Sequence, residues 1–365
     1  MKRMWNVVAL GAVVMIGLGT YAVDSRASSA EWSLNVSSNE ELWTDKHVNV
    51  LYDHDDTIGE RFVVTTDRSK VTTHLSYIEE ALQQRDLMDP VMREFYRQTT
   101  NLNYLQTVRT VDGYVGIGQK ENKEIIIYRS EGENVTTTVI PSNVSGAVDV
   151  MEGNWVGLFL QGETLHLMYR DGYDEPVTKL AVFDEKEMAI AIQDVEVDRG
   201  YVSDMFGSSW FYGVNQLPIA IDNRFIPVRV ATIGTYIEDG ETYTSEETRP
   251  GIYAYDVESK EVVTLVDDGE MWDAVLYDDE FLALQEDKSE IVVDLKSGES
   301  SSRKVIEDEN GTTAYVGKQL YHVQQVTDGA IIDVYEDGKA VSNAAISAAN
   351  DEAKALLPST QFYVE

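Results

Sequence analysis

The sequence contains no cysteine among its 365 residues. The fold therefore cannot be stabilised by disulfides and has to rely on its buried core. The same absence excludes a cysteine nucleophile, a zinc–thiolate site and an anchor through a lipidated N-terminal cysteine. The length of the chain is compatible with one large β domain or with two domains of ordinary size.

Basic residues are scarce. The chain has 29 lysines and arginines against 64 aspartates and glutamates, which gives a formal net charge of −35. Such a surface repels phosphate backbones and anionic lipid headgroups, so nucleic-acid binding is excluded. The simplest interpretation is solubility in a salty or alkaline exterior, where counter-ions screen the self-repulsion. The alternative is an affinity for cations or basic partners.

Familiar catalytic motifs are missing. The sequence has no G-x-S-x-G nucleophile elbow, and none of its five histidines belongs to an H-E-x-x-H motif. Ser301–Lys304 matches S-x-x-K, but it follows Gly298 in a predicted turn and no K-T-G accompanies it. A carboxylate pair for glycoside hydrolysis stays open, because any two of the 64 acids could converge and the sequence does not select them.

The N-terminal segment has the composition of an export signal. The basic sequence MKR is followed by an uncharged apolar stretch that ends at Val23. Trp5–Val23 contains 19 residues, just enough to span a bilayer as a helix. We expect residues 1–24 to form an uncleaved signal anchor that leaves the rest of the chain outside the cytoplasmic membrane. Cleavage after Ala22 or Ala30 would instead give a secreted protein.

Strand-like runs recur along the chain. The runs, rich in Ile, Val and Tyr, are Glu124–Tyr128, Leu165–Tyr169, Ile252–Tyr255, Ile291–Leu295 and Ile331–Tyr335. The turns that follow them contain Gly132, Gly172, Glu258-Ser259-Lys260, Gly298 and Gly338. Two pairs of these glycines are separated by the same distance, since 172 − 132 = 40 and 338 − 298 = 40. Each unit of about forty residues therefore has the pattern of a meander of three or four short strands.

Units of this length with four short strands are typical of propeller blades. We predict an all-β fold, a β-propeller-like ring of about seven four-stranded meander units, over residues 46–365. Residues 25–45 are predicted to form a linker and the first strand. The C-terminal segment Thr360–Glu365 is expected to pair beside an N-terminal strand. A pair of β-sandwiches or an open meander is the alternative, and no named family's motifs are present.

One helical region interrupts the predicted strands, at about residues 76–98. Ser76 and Glu79 form a capping box, and Asp89-Pro90 places proline at the first position of a second helix. These two short helices are expected to pack against the β domain, and binding of a partner is the alternative. A polar excursion is expected at Glu238–Pro250.

Aromatic residues are the clearest candidates for ligand binding. Trp210, Phe211 and Tyr212 lie among small residues, while Trp155 and Trp272 begin strands of other units. Exposed aromatic side chains would stack on sugars or contact a protein partner. The alternative is that they pack between blades, because every propeller buries large aromatic residues there.

A metal site is the weaker candidate. Asp53, Asp55 and Asp56 form the densest group of ligand-type residues, and their carboxylates could hold calcium. The alternative for this segment is a solvated hairpin turn. No other cofactor is expected.

Together these features predict a non-catalytic binding or sensing domain, tethered to the cytoplasmic membrane by its N-terminal helix. It would present a propeller face to a protein or a cell-wall polymer. Two alternatives remain: an extracellular polysaccharide hydrolase or lyase that uses a carboxylate pair in the central funnel, and a structural domain stabilised by calcium.

Overall fold

In the computed structural model, the described part of the chain comprises residues 29–54, 57–71, 90–121, 123–132, 134–172, 175–207, 217–238, 241–267, 269, 271–307 and 310–365. The predicted signal anchor and the first predicted helix, which begins at Ser76, lie outside these ranges. No helix within them is both long enough and apolar enough to cross a bilayer.

Strands dominate the described part. The first fourteen are β1 (Trp32–Ser38), β2 (Val48–His54), β3 (Thr57–Val64), β4 (Ser69–Val71), β5 (Asn103–Arg109), β6 (Tyr114–Gln119), β7 (Ile125–Glu131), β8 (Asn134–Ile140), β9 (Asn154–Gln161), β10 (Thr164–Asp171), β11 (Val177–Asp184), β12 (Ala189–Asp194), β13 (Glu196–Val197) and β14 (Tyr201–Met205). The remaining strands are β15 (Phe225–Glu238), β16 (Glu241–Thr248), β17 (Ile252–Asp256), β18 (Glu261–Val266), β19 (Met271–Tyr277), β20 (Glu280–Gln285), β21 (Ser289–Asp294), β22 (Ser300–Lys304), β23 (Thr312–Val316), β24 (Gln319–Val326), β25 (Gly329–Glu336), β26 (Lys339–Ala348) and β27 (Thr360–Val364). The helices are α1 (Pro90–Thr99), α2 (Ala147–Glu152) and α3 (Asp351–Leu356), with short 3₁₀ turns at Glu40–Trp43 and Leu357–Ser359.

The chain divides into two compact units. The first comprises residues 1–81 and 308–365, and the second comprises residues 82–307. Within the first unit, one sheet has the strand order β1-β26-β25-β24-β23 and the other has the order β27-β2-β3-β4. Strand β27 pairs antiparallel with β2, which confirms the predicted pairing of the C-terminal segment with an N-terminal strand.

The second unit contains four sheets. Their strand orders are β5-β6-β7-β8, β9-β10-β11-β12, β13-β18-β17-β15-β14 and β19-β20-β21-β22. Strand β16 pairs with the outer half of β15, so Glu238–Pro250, expected to be a polar excursion, contains a strand of a long hairpin. Except for the short parallel pair β13–β18, neighbouring strands are antiparallel.

Burial changes across each sheet in the way its sequence suggests. Strand β7 (IIIYRSE) is buried along most of its length, because it has a neighbouring strand on both sides and apolar side chains on both faces. The last strands β8 (NVTTTVI) and β22 (SSSRK) are mostly exposed. Polar and charged side chains on such edge strands discourage pairing with another chain.

The fold-class prediction is confirmed: the chain is all-β and consists of successive antiparallel meander sheets of the propeller-like type. Six such sheets are present in the described ranges. Each of the five predicted strand runs coincides with a strand of these sheets, except that Glu124 and Leu295 lie one residue outside theirs. The four turn glycines have the left-handed backbone expected of hairpin turns, as at Gly132 with φ 57° and Gly338 with φ 71°.

The predicted equivalence of one turn glycine, Gly172, to the others is wrong. Gly132, Gly298 and Gly338 connect the third and fourth meander strands of their sheets, whereas Gly172 connects the second and third strands. The cause is the connection over residues 141–153, which contains α2 and lengthens this repeat. The spacing of 40 between Gly132 and Gly172 therefore does not join equivalent positions.

The helical content also differs from the prediction. The second predicted helix is confirmed as α1, which begins at Pro90 and buries Met92 and Phe95. The expectation of a single helical region is wrong, because α2 and α3 lie elsewhere in the chain. Each has only six residues, too few for an apolar stripe to stand out in the sequence.

Candidate functional site

An aromatic pair lies at the start of two contacting strands in the second unit. Tyr104 is the second residue of β5, and Trp155 is the second residue of β9. Their ring centroids are 6.4 Å apart and the ring planes make an angle of 54°. The Tyr104 residue is 67% exposed, whereas Trp155 is half-buried. The pair therefore presents an aromatic surface to solvent.

The backbone at Tyr104 is strained. Its φ of 55° is left-handed, a conformation that is uncommon for a bulky residue. The pairing of β5 with β6 is also irregular between Asn103 and Gln106, and irregularities of this kind re-aim a side chain. A backbone conformation of this type costs about 1–3 kcal/mol. The fold tolerates this cost at an exposed ring, which points to a role for the ring outside the core.

Trp155 is held in place by α2 and β10. Its Nε1 donates a hydrogen bond of 2.7 Å to the carbonyl oxygen of Val150. In the β9–β10 ladder it lies opposite Tyr169, whose side chain is fully buried. A Cβ atom at Gly153 would lie 2.2 Å from Cδ2 of Tyr169, so only glycine leaves room for that ring. These contacts fix the orientation of the indole.

Three exposed carboxylates act on Tyr169 through their charge. They belong to Asp149 in α2, Asp171 at the end of β10 and Asp194 at the end of β12. Burial raises the pKa of Tyr169, and the charges of the three carboxylates raise it further. Tyr169 lies opposite Trp155 in the β9–β10 ladder, and Asp149 belongs to the same helix as Val150, which accepts the hydrogen bond from the Trp155 indole.

One ammonium group already lies among these carboxylates. Lys179 Nζ donates a hydrogen bond of 2.7 Å to Asp171 Oδ2. This bond is the main reason why the pKa of Lys179 is raised, and the charges of Asp171, Asp194 and Asp149 add to it. One positive charge against three negative ones leaves the group net negative. We refer to Tyr104, Trp155, Asp149, Asp171 and Asp194 as the aromatic–acidic surface.

A second charged group in the same unit is more enclosed. The Glu246 carboxylate accepts hydrogen bonds from Arg170 Nη1 at 3.0 Å and from the Tyr201 hydroxyl at 2.7 Å. Burial, followed by the bond to Glu246, raises the pKa of Tyr201 to about 12. Burial also raises the pKa of Asp204, whose carboxylate accepts a hydrogen bond from the backbone N–H of Met205 at 2.9 Å.

Asp204→Asn is expected to change the pH dependence of stability. A carboxyl whose pKa is raised on folding keeps its proton longer in the folded state, so the free energy of unfolding falls as pH rises above the unfolded value of about 3.9. The isosteric amide retains an acceptor for Met205 and does not titrate. Urea denaturation between pH 4 and 8 should therefore show a smaller decrease in the variant. An unchanged profile would contradict the raised pKa.

The structure places one of the predicted site residues in the aromatic–acidic surface and does not describe the side chains of the others. Trp155 belongs to the aromatic–acidic surface. Trp272 lies in β19, but its side chain is outside the described part. The segment that contains Trp210, Phe211 and Tyr212 is also outside it, as is the pair Asp55 and Asp56. Asp53 lies in β2, with its side chain likewise outside. Among the described residues, no group of three or more histidine or acidic side chains could hold a metal ion.

Tyr104 and the three aspartates were not predicted. Tyr104 stands in the polar sequence NLNYLQ, with no small residues or second aromatic beside it. The aspartates are far apart in the chain. The pairing of β10 with β11 and of β11 with β12 brings Asp171 and Asp194 into one sheet, and the contact of α2 with β10 brings Asp149 to it. The sequence did carry an indication that Asp171 could belong to a charged group: it precedes a turn glycine and is followed eight residues later by Lys179.

No protein-family model and no curated protein matches the chain. Several solved structures align with the chain at low identity. An apocarotenoid oxygenase from Synechocystis is 9% identical, with a TM-score of 0.40 over 87% of this chain and 92% of that chain. AztD from Citrobacter koseri is 10% identical, with a TM-score of 0.32 over 87% and 98%. BamB from Moraxella catarrhalis is 10% identical, with a TM-score of 0.27 over 65% and 72%. Function is therefore argued from the chain's own residues.

Proposed function

We propose that this protein is a non-catalytic binding or sensing module, tethered outside the cell by residues 1–24, whose ligand binds at the aromatic–acidic surface. The observation that carries the proposal is Tyr104, whose exposed ring packs against Trp155 on a strained backbone. A tyrosine that only filled the core would be buried and would have no need of a left-handed backbone.

The charge of the surface indicates the chemical class of the ligand. Exposed aromatic faces attract ammonium and guanidinium groups, and nearby carboxylates pair with them. The protein as a whole carries a net charge of −35, so its field also attracts positively charged partners. We infer that the ligand is a protein segment or a cell-wall polymer that carries several amino groups.

Lys179 supports this inference from within the structure. Its ammonium group binds Asp171 and is stabilised by Asp194 and Asp149, as an amino group of a ligand would be. Asp149 and Asp194 have no cation within salt-bridge distance among the described residues. Both are exposed and open to a cation from outside.

The test is isothermal titration of octalysine into the full-length protein in detergent. Tyr104→Ala is expected to weaken binding about fivefold, since an exposed cation–π contact contributes about 1 kcal/mol. The matched control is Tyr277→Ala, because Tyr277 is also an exposed tyrosine of the second unit, in β19. Its affinity should be unchanged. Equal affinities for Tyr104→Ala and the wild type would contradict the proposed surface.

A hydrolase or lyase is the second candidate, and Asp204 is the observation in its favour. A half-buried carboxyl of raised pKa, on which the charge of Glu246 also acts, has the character of one member of an acid–base pair. Glu246, however, is already hydrogen-bonded to Arg170 and Tyr201, so its carboxylate is committed to the fold. The binding function therefore agrees better with the geometry.

A further inference from the structure

A cavity of about 40 Å³ lies within the second unit. Its wall includes apolar residues from all four sheets of that unit, among them Val108 in β5, Leu158 in β9, Ile226 in β15 and Leu276 in β19. A volume of about 10–15 Å³ is enough for one water molecule, so this cavity has room for about three non-hydrogen atoms. Its size and its apolar lining suit a small molecule with a short alkyl group.

One side of the cavity is formed by the segment that precedes β15, over residues 218–223. Hydrogen bonds hold this segment against the neighbouring strands. The backbone N–H of Ala220 donates to the carbonyl oxygen of Arg109 in β5 at 2.6 Å, and Gln161 Nε2 in β9 donates to the carbonyl oxygen of Asn223 at 2.8 Å. Because the segment is tied to two strands, this side of the cavity is already formed before a ligand binds.

Asn223 brings an unpaired acceptor to the cavity wall. The residue is only 5% exposed, and its Nδ2 donates a hydrogen bond of 3.3 Å to the carbonyl oxygen of Asp278. A carbonyl oxygen can only accept, so this contact fixes the orientation of the amide. The buried Oδ1 atom of Asn223 has no hydrogen-bond partner in the described part of the chain. A buried acceptor without a donor is unfavourable, and a donor from a ligand would remove that cost.

We propose that this cavity binds a short-chain alcohol of the size of ethanol. The hydroxyl donates to Asn223 Oδ1, and the alkyl group lies against Leu158, Ile226 and Leu276. A neutral donor is specified because Asp278, the one residue with a charged side chain in the wall, is exposed, and burial of an ammonium group without a charged partner is strongly unfavourable. The site uses no residue of the aromatic–acidic surface.

The experiment is methyl NMR on the full-length protein in detergent, with ethanol, its isomer dimethyl ether and ethylamine as probes. Ethanol should shift the methyl signals of Leu158, Ile226 and Leu276 until they saturate. It should bind about fivefold more tightly than dimethyl ether, which has the same atoms but no hydrogen-bond donor. Equal affinities for the two isomers would overturn the proposal in favour of apolar capture, and tighter binding of ethylamine would overturn the neutral donor. Absence of saturable shifts would overturn the site itself.

Asn223→Leu is the informative variant, because it keeps the size of the side chain and removes the acceptor. Ethanol binding should fall about fivefold while the affinity for dimethyl ether stays the same, a difference that a general loss of structure would not produce. Asn134→Leu makes the same change at an exposed position of β8 and should leave both affinities unaltered. If Asn223→Leu does not fold, the preference of the wild type for ethanol over dimethyl ether decides the proposal. Undiminished ethanol binding in the folded variant would contradict the role of Asn223.

Discussion

Replacing Trp43 by alanine is expected to lower the free energy of unfolding of the first unit by about 3–5 kcal/mol. The side chain is 1% exposed and packs edge-on against Tyr321, with 5.7 Å between the ring centroids. Its Nε1 also donates to Ser342 Oγ at 3.0 Å. Truncation would leave a large cavity in the core and remove one of the two hydrogen-bond partners of the Ser342 hydroxyl, which also donates to the carbonyl oxygen of Ser38.

The measurement is urea denaturation of the full-length protein, followed by far-ultraviolet circular dichroism. Trp43→Phe is the matched control: it keeps most of the ring packing and loses only the N–H donor, so its cost should be about 1–2 kcal/mol. A loss below about 1 kcal/mol for Trp43→Ala would be typical of a surface position and would contradict the burial described for this residue.

Gly153→Ala is expected to lower the free energy of unfolding of the second unit by about 3 kcal/mol and to weaken octalysine binding at least as much as Tyr104→Ala does. The backbone of Gly153 has an ordinary φ of −74°, so the penalty is steric. The added Cβ would lie 2.2 Å from a ring carbon of Tyr169, which is fully buried and has no free space to enter. Displacement of that ring would move Trp155, its neighbour across the ladder.

Gly162→Ala is the matched control for Gly153→Ala, because it adds the same methyl group at a glycine where only the backbone conformation, and not steric overlap, opposes it. Gly162 has a left-handed φ of 57°, and no atom lies within 4 Å of the position of an added Cβ. The substitution should therefore cost only the left-handed penalty of about 1 kcal/mol and preserve binding. Equal decreases in melting temperature for Gly153→Ala and Gly162→Ala would show that overlap with the Tyr169 ring does not determine the effect at Gly153.

The strands could be predicted because their sequences carry local signals. Ile291–Leu295 and Ile331–Tyr335 are short β-branched runs ended by glycine turns, and both are strands in the structure. The position of a turn within its sheet could not be predicted, because it depends on how many strands precede it. The α2 connection before β9 changes that number for Gly172 without leaving a clear helical pattern.

Only part of the candidate site could be predicted from the sequence. Trp155 could be proposed because it begins a strand-like run, and an exposed aromatic side chain there would stack on a sugar or contact a partner. Tyr104 could not, because its exposure follows from a left-handed backbone and an irregular ladder.

Hydrogen–deuterium exchange of the full-length protein with and without octalysine tests the binding function most directly. Occupation of the aromatic–acidic surface should slow exchange of the backbone amides over residues 103–109 and 147–155, which comprise β5, α2 and the first residues of β9. Slower exchange confined to other strands, or unchanged exchange at octalysine saturation, would show that Tyr104 and Trp155 do not form the ligand-binding surface.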